Sequence, residues 1–326
     1  MISWPPRPGR ASRGQAGLPP VRKARRRAPV RRPSVAPGSL CHPRGVTGTN
    51  QHYLPAVLIG GFGRLPAGTG PLREAEVAVR DRATGAVDSR LRKAKTLAAR
   101  PGMYRLTSPP AGVDPDIVDT VWNGVENALR GLVGRLTNRC LQPGDDQLLF
   151  AYAAEAGVRH PTFEALAAHH HVGHGLAAPR GDDLQYARLV GLGKQIPPMP
   201  DWRWRVLHSP HDCRRFMLTD RGWIYVEEPE EASYGLFFPM GPRVGILGYL
   251  DEPHLPPRRP PFAEHLDLCD SMIEWFNAAS RDDPYIEALF AHPADRDRLA
   301  RLPDHRDLRP NAYGPFRNRK SRSLFD

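Results

Sequence analysis

The run His169-His170-His171-Val172-Gly173-His174 gathers four of the chain's 13 histidines into six residues, which makes it the first place to look for a metal site. On a helix, His170 and His174 lie one turn apart, a spacing that two metal ligands can use. The same two residues continue the apolar face of Phe163, Leu166 and Ala167, where a hydrogen-bonded core histidine is the commoner role. No Glu stands inside the run, as a metalloprotease helix requires, and Gly173 weakens the helix where His174 sits. Trp202-Arg203-Trp204-Arg205 interleaves aromatics and cations, and could stack on a single nucleic-acid strand and grip it. Laid out as a β-strand, it places both Trp on one face and both Arg on the other. That ordinary amphipathic pattern is the preferred reading.

Several signatures are missing. There is no Gly-x-x-x-x-Gly-Lys-Ser/Thr phosphate loop and no Gly-x-Ser-x-Gly nucleophile elbow. Gly60-Gly61-Phe62-Gly63 runs into Leu65-Pro66 rather than into a helix, which does not suit a dinucleotide fingerprint. Cys41, Cys140, Cys213 and Cys269 are far apart, with no Cys-x-x-Cys pair. They read as reduced thiols of a cytoplasmic protein and as poor zinc ligands. The sequence identifies no cofactor, and it leaves metal dependence open.

The elements that would position such residues follow from periodicity. Glu74 to Arg80 alternates, with Ala75, Val77 and Val79 on one face, the pattern of a half-buried strand. Asp81 to Gly85 then forms a turn in which Gly85 takes positive φ. Asp114-Pro115 opens a helix whose stripe is Ile117, Val121, Val125, Leu129, Leu132 and Leu136. A second helix runs from Asp145 to a cap at Gly157, a third starts near Pro161, and a fourth lies within 182–190. Short strands follow at 215–219, 223–226, 236–240 and 244–249, rich in aromatic and β-branched residues. A closing helix shows Phe262, Leu266, Cys269, Ile273 and Phe276 on one face. The expected class is α+β: short N-terminal strands, a central helical block, an antiparallel β segment and a closing C-terminal helix.

Charge divides the chain further. Of 46 basic residues, 11 lie in 1–47, which holds no acidic residue; the remaining 35 face 35 acidic ones. The body is therefore neutral, and the whole excess of +11 sits in the Pro- and Arg-rich tail. Residues 1–47 are expected to be disordered, 48–310 to form a single α+β domain, and 311–326 to be a second disordered basic tail. Arg25, Arg26, Arg27, Arg31 and Arg32 could grip nucleic-acid phosphates, but a solvated extension is the favoured reading. No apolar core of a secretory signal follows the basic part. The longest apolar run, Leu54 to Phe62, is about half the roughly 18 residues of a membrane helix, so no membrane role is expected.

A series of short motifs then lines up in order. His52-Tyr53-Leu54-Pro55 resembles the His-aromatic-Val-Pro opening of the family known as domain of unknown function 4238. Val77 to Asp81 with the Thr84-Gly85 turn, Met103-Tyr104, and Glu126 resemble the family's next features. Arg159-His160-Pro161-Thr162-Phe163 is similar to its Arg-x-Pro-x-Phe segment, and Leu218-Thr219-Asp220 to its Thr-Ser-Asp. Phe237 to Pro242 is similar to its Pro-containing hydrophobic strand, and Asn277 to a family Asn. Together these cover about 50–300. Two departures stand out: the Ser between Thr and Asp is absent, and Arg221-Gly222-Trp223 replaces the family's Pro two residues after the Asp.

The resemblance singles out His52, Arg159, Asp220 and Asn277 as candidate catalytic residues. If folding assembles them, His52 can act as a base near pH 7, Arg159 can clamp an anion with parallel hydrogen bonds, and Asp220 can orient the histidine or hold a metal. The structural alternative makes each of them a cap, a turn anchor or a buried hydrogen-bonding group, and it carries more weight. The functional expectation is an uncharacterised intracellular protein leaning towards a hydrolase, most plausibly a nuclease. The alternative is a non-enzymatic binding or regulatory module for a protein or small ligand.

Overall fold

In the computed structural model, residues 50–195, 202–211, 213–228, 233–250, 263–304 and 308 are described. The expectations for 1–47, for 311–326 and for Cys41 lie outside them. The described elements are, in chain order, β1 (Asn50–His52), α1 (Ala56–Gly61), β2 (Glu76–Asp81), β3 (Arg92–Lys93), β4 (Ala99–Pro101), α2 (Ile117–Thr137), α3 (Asp145–Arg159), α4 (Phe163–Gly173) and α5 (Asp182–Gln195). Then come β5 (Trp202–His208), β6 (Leu218–Thr219), β7 (Ile224–Glu228), β8 (Ser233–Gly241), β9 (Val244–Leu250), β10 (Ala263–Asp267), α6 (Asp270–Asp282), β11 (Ala288–Ala291) and α7 (Arg296–Ala300). The class is α+β. None of the described helices is long and apolar enough to cross a membrane.

Three sheets organise these elements. β1 pairs with β4, five strands run in the order β10-β5-β9-β8-β7, and four run β3-β2-β11-β6. All pairings are antiparallel except that of β10 with β5. The five-stranded sheet is covered on both faces, because successive strand residues point to opposite sides. On β8, Phe237 stacks 4.3 Å from Phe276 of α6, while its neighbour Phe238 meets Tyr152 of α3 at 5.9 Å. All four rings are buried, so the sheet is the middle layer between α6 and the helical block.

The periodic segments fold as expected, with instructive shifts. Gly85 sits at φ 69°, as its turn requires. β2 is buried on both faces rather than one: Val77 and Val79 join the main core, while Ala78 joins a second small core with Met217, Leu289 and Leu299. α2 starts at Ile117, but its first two turns bury Val118 and Trp122 and leave Val121 exposed. The inward line is therefore Val118, Trp122, Glu126, Leu129, which places Glu126 on the core-facing stripe. α3 does not stop at Gly157. It continues to Arg159, and His160 turns extended (ψ 147°) because Pro161 follows.

The C-terminal third departs further. The segment expected as strand 215–219 pairs only at Leu218–Thr219. The closing helix begins at Asp270, not near 262; Ala263–Asp267 is a strand running parallel to Trp204–His208. Ala288–Ala291, within a charged stretch that carried no strand signal, is β11, and it joins β2 to β6. Arg205 is buried beside Glu264 instead of lying on a solvated face, while the side chains of Trp202 and Arg203 lie outside the described residues.

Candidate active site

α1 follows β1 directly, and β1 is fixed to β4 by the pairing of His52 with Ala99. That pairing sets His52 beside the Leu97–Ala98 turn. The His52 Nδ1 lies 3.1 Å from the Leu97 carbonyl oxygen. A carbonyl can only accept, so Nδ1 carries the proton and Nε2 keeps the lone pair. No partner of Nε2 occurs among the described residues. Ala98, next in the turn, holds φ 47°, a conformation that costs a non-glycine residue free energy and that gathers at functional sites.

Arg159 ends α3 and reaches both neighbouring elements. Its Nη2 donates to the Glu126 carboxylate at 2.5 Å and to the His52 carbonyl at 2.5 Å. Its Nη1 lies 3.8 Å from Glu155, one turn earlier on α3. The guanidinium also stands 5.3 Å from the centre of the Trp122 ring. The Arg159 carbonyl accepts from the Tyr104 hydroxyl at 2.7 Å, so the helix end is held as well as the side chain. One buried cation thus joins β1, α2 and α3 through two carboxylates and a backbone oxygen.

The protonation states inside this cluster diverge. Burial pushes the Glu155 carboxyl up to about 8, with Arg159 opposing the rise and Glu126 adding to it. Burial also lowers the His52 imidazole from its ordinary value, against the pull of the Leu97 carbonyl and Glu126. Asp119, on α2, is raised by burial too. At neutral pH the cluster therefore holds a protonated carboxyl and an unprotonated imidazole, the pairing from which acid and base roles are assigned.

Folding raises the Glu155 value, so the stability this residue contributes is complete below its unfolded value of 4.5 and is lost as pH climbs through 8. His52 acts with the opposite sign: its contribution holds above 6.5 and falls away as pH drops through its lowered value. The unfolding free energy from urea titration is accordingly expected to fall between pH 5 and pH 8.5 by an amount on the order of a few kcal/mol. Glu155→Gln, which cannot ionise, should flatten that fall. Equal slopes in wild type and variant would show that this carboxyl is not buried as described.

Only part of the expected quartet meets here. His52 and Arg159 are in direct contact, but Arg159 is 2% exposed and its guanidinium is occupied by Glu126 and His52, so it is not placed to clamp a ligand anion. Asp220 sits one step away. Its carboxylate lies 3.6 Å from Nε2 of His160 and accepts the Glu287 backbone N–H, which ties the end of β6 to the start of β11. Asn277 does not join the cluster through any contact among the described residues. Its Oδ1 accepts from Met217 N and its Nδ2 donates to Arg215 O, clamping the backbone on both sides of Phe216. Both residues are buried and act as backbone anchors, the structural alternative weighed from sequence.

The histidine run lies at the end of α4. His170 and His174 stack at 4.5 Å, and His174 Nδ1 bonds to the His170 carbonyl across the end of α4. Among the described residues no group of three His, Cys, Asp or Glu is placed to hold a metal ion. Cys140 and Cys269 carry free thiols.

Sequence reasoning missed Glu155. A signal was present: it shares the inward side of α3 with Tyr152 and Ala156 and stands four residues before Arg159, so a helix carrying it inward had to supply a buried counter-charge. The fold and the site together define an α+β protein with an acid–base cluster built around one buried arginine. No protein-family model, no curated protein and no solved structure matches the chain.

Proposed function

We propose that this protein is a hydrolase working by general acid–base catalysis, with His52 as the base and Glu155 as the acid. The observation that carries this reading is the Arg159 guanidinium, bonded to Glu126 and to the His52 backbone carbonyl and 3.8 Å from Glu155. In the proposed reaction His52 Nε2 takes a proton from water as it attacks, and the Glu155 carboxyl gives its proton to the leaving group. Glu126 and Arg159 are positioning residues that fix the two reacting groups on separate elements. The resemblance to domain of unknown function 4238 belongs to this proposal. Three of its matched positions, His52, Glu126 and Arg159, meet in the cluster, which supports it. A phosphodiester is the substrate class to assay first.

The test is cleavage of single-stranded RNA and DNA by the full chain. General acid–base groups contribute about 10²–10⁴-fold each, so His52→Ala and Glu155→Gln should each lose at least about 10²-fold with melting temperatures near wild type. The pH profile of kcat/KM should rise on a limb below 6.5, set by His52, and fall on a limb near 8, set by Glu155. Full activity in both variants would remove the proposal.

A non-enzymatic binding module is the second reading. It is favoured by the burial of Arg159, Asp220 and Asn277, each bonded to backbone atoms. Absence of turnover in the wild type, with unchanged folding of the two variants, selects it.

A further inference from the structure

At the junction of α3 and α4 an imidazole stands between a hydroxyl and a carboxylate, those of His160, Thr162 and Asp220. The Thr162 backbone N–H donates to His160 Nδ1 at 3.3 Å. An N–H can only donate, so Nδ1 keeps the lone pair of the neutral ring and Nε2 carries its proton. Thr162 Oγ1 lies 2.8 Å from the same Nδ1, close enough to donate its hydroxyl proton. Across the ring, Nε2 faces Asp220 Oδ2 at 3.6 Å and has no hydrogen-bond partner among the described residues. A helix cap explains only half of this arrangement. Capping α4 requires Nδ1 to accept the Thr162 N–H and requires nothing of Nε2. Here Nε2 is buried against a carboxylate that is itself 1% exposed. The Glu287 N–H fixes that carboxylate by reaching both its oxygens, at 3.1 and 3.2 Å, and Tyr53 meets the imidazole edge-on at 5.2 Å. The 3.6 Å gap is longer than a hydrogen bond, and contacts of this kind commonly tighten when substrate binds.

We propose that Asp220, His160 and Thr162 act as orienter, base and nucleophile in cleaving small uncharged carboxylic esters through an O-acyl-threonine. A hydroxyl bonded to an imidazole that a carboxylate holds in one tautomer is the arrangement that acyl transfer uses, whatever the order of the residues in the chain. Thr162 Oγ1 attacks the ester carbonyl carbon and passes its proton to His160 Nδ1. The bond from that carbon to the leaving oxygen breaks, and the leaving oxygen takes the proton from Nδ1. Water then attacks the acyl carbon and gives one proton to Nδ1. The bond from carbon to Oγ1 breaks, and Oγ1 recovers that proton. Ester and water have become acid and alcohol, and Asp220 stabilises the imidazolium formed in each half. Thr162 is half-buried while Glu164 and Ala165 after it are exposed, which gives a small molecule a side from which to reach the hydroxyl. The Glu164 carboxylate, two residues on, disfavours an anionic acyl group there.

The experiment incubates the full chain with p-nitrophenyl acetate, follows release of p-nitrophenolate and locates the acetyl group by peptide mass spectrometry. A burst of p-nitrophenolate and acetylation of Thr162 are expected. Thr162→Val keeps the shape and removes the hydroxyl, so it should abolish both; Thr162→Ser should retain both. The two variants should melt like wild type, so their contrast is read in folded proteins. Asp220→Asn can still accept the Glu287 N–H, and it should slow acetylation by at least about 10²-fold. Wild type that gains no acetyl group on Thr162 overturns the proposal. So does a burst that survives Thr162→Val, or acetylation at the wild-type rate in folded Asp220→Asn. None of the three residues is His52, Glu126, Glu155 or Arg159, and the probe is an ester rather than a phosphodiester, so this proposal and the acid–base reading above fail separately.

Discussion

Gly60→Ala should cripple the fold, while Gly61→Ala, one residue on, should be tolerated. A Cβ built on Gly60 would stand 1.9 Å from the Leu72 carbonyl oxygen and 2.5 Å from its carbon, far inside any real contact. That oxygen cannot swing away cheaply, because it accepts the Ala75 backbone N–H at 2.9 Å in the turn that delivers β2. A Cβ on Gly61, by contrast, meets nothing within 4 Å. The two substitutions are chemically identical and adjacent on α1, so helix propensity cancels and only the close approach differs. We expect Gly60→Ala to cost about 3 kcal/mol or more, at or beyond the upper end of what overpacking usually costs. Gly61→Ala should be neutral or stabilising by up to about 1 kcal/mol. In thermal denaturation that separates the pair by roughly 10 °C or more for a domain of this size. Matching melting curves would mean that α1 does not press against Leu72. Because α1 begins only four residues after His52, any shift of the helix should also move the imidazole relative to Arg159.

Why this glycine matters was only half visible in the sequence. Gly60-Gly61-Phe62-Gly63 fails as a nucleotide loop, a judgement that needs no coordinates. Which of its glycines faces backbone depends on Leu72, and no local pattern reports that. The same division runs through the fold. α2, α3, α4 and α5 were legible because an apolar repeat of three to four residues, a proline or a capping residue fixes each helix locally. β10 was not. Phe262, Leu266 and Cys269 fit a helical spacing, and Ala263–Asp267 becomes a strand only because β5 offers it a parallel edge. β11 is four residues long, and its partner β2 lies some 200 residues away in the chain, so its identity comes from pairing alone. In the site, His52, Glu126 and Arg159 were marked by motif resemblance. Glu155 was not, since a glutamate within a helix ordinarily points to water. It is buried here because α3 turns it inward one turn before Arg159, where the neighbouring elements cover it, and that packing is a tertiary event.

Arg159→Met should test that tertiary event directly, and its effect should be large. The wild-type guanidinium makes its bonds with almost no access to water, to groups contributed by three elements. Methionine fills much of the space over Trp122, so the hydrophobic contact is largely kept and the charge alone is removed. What remains is Glu126, half-buried, and the His52 carbonyl, both without their donor, with the buried Glu155 close by. Breaking one side of a buried ion pair costs about 3–5 kcal/mol, mainly because the surviving charge is stranded. The loss should therefore be recoverable by removing the stranded partner. Arg159→Met combined with Glu126→Leu should regain part of it, since Glu155 keeps its proton at neutral pH and apolar replacement of a whole buried ion pair is often near neutral. A double-mutant cycle in urea should then show a coupling of more than about 1 kcal/mol between the two positions. Glu126→Gln should cost less than Arg159→Met, because Glu126 is partly solvated and its amide oxygen can still accept from the arginine. An Arg159→Met protein within about 1 kcal/mol of wild type would contradict the buried cluster. With it would go the physical basis for a protonated Glu155 at neutral pH, because that proton is retained only where the carboxyl is shut away from water.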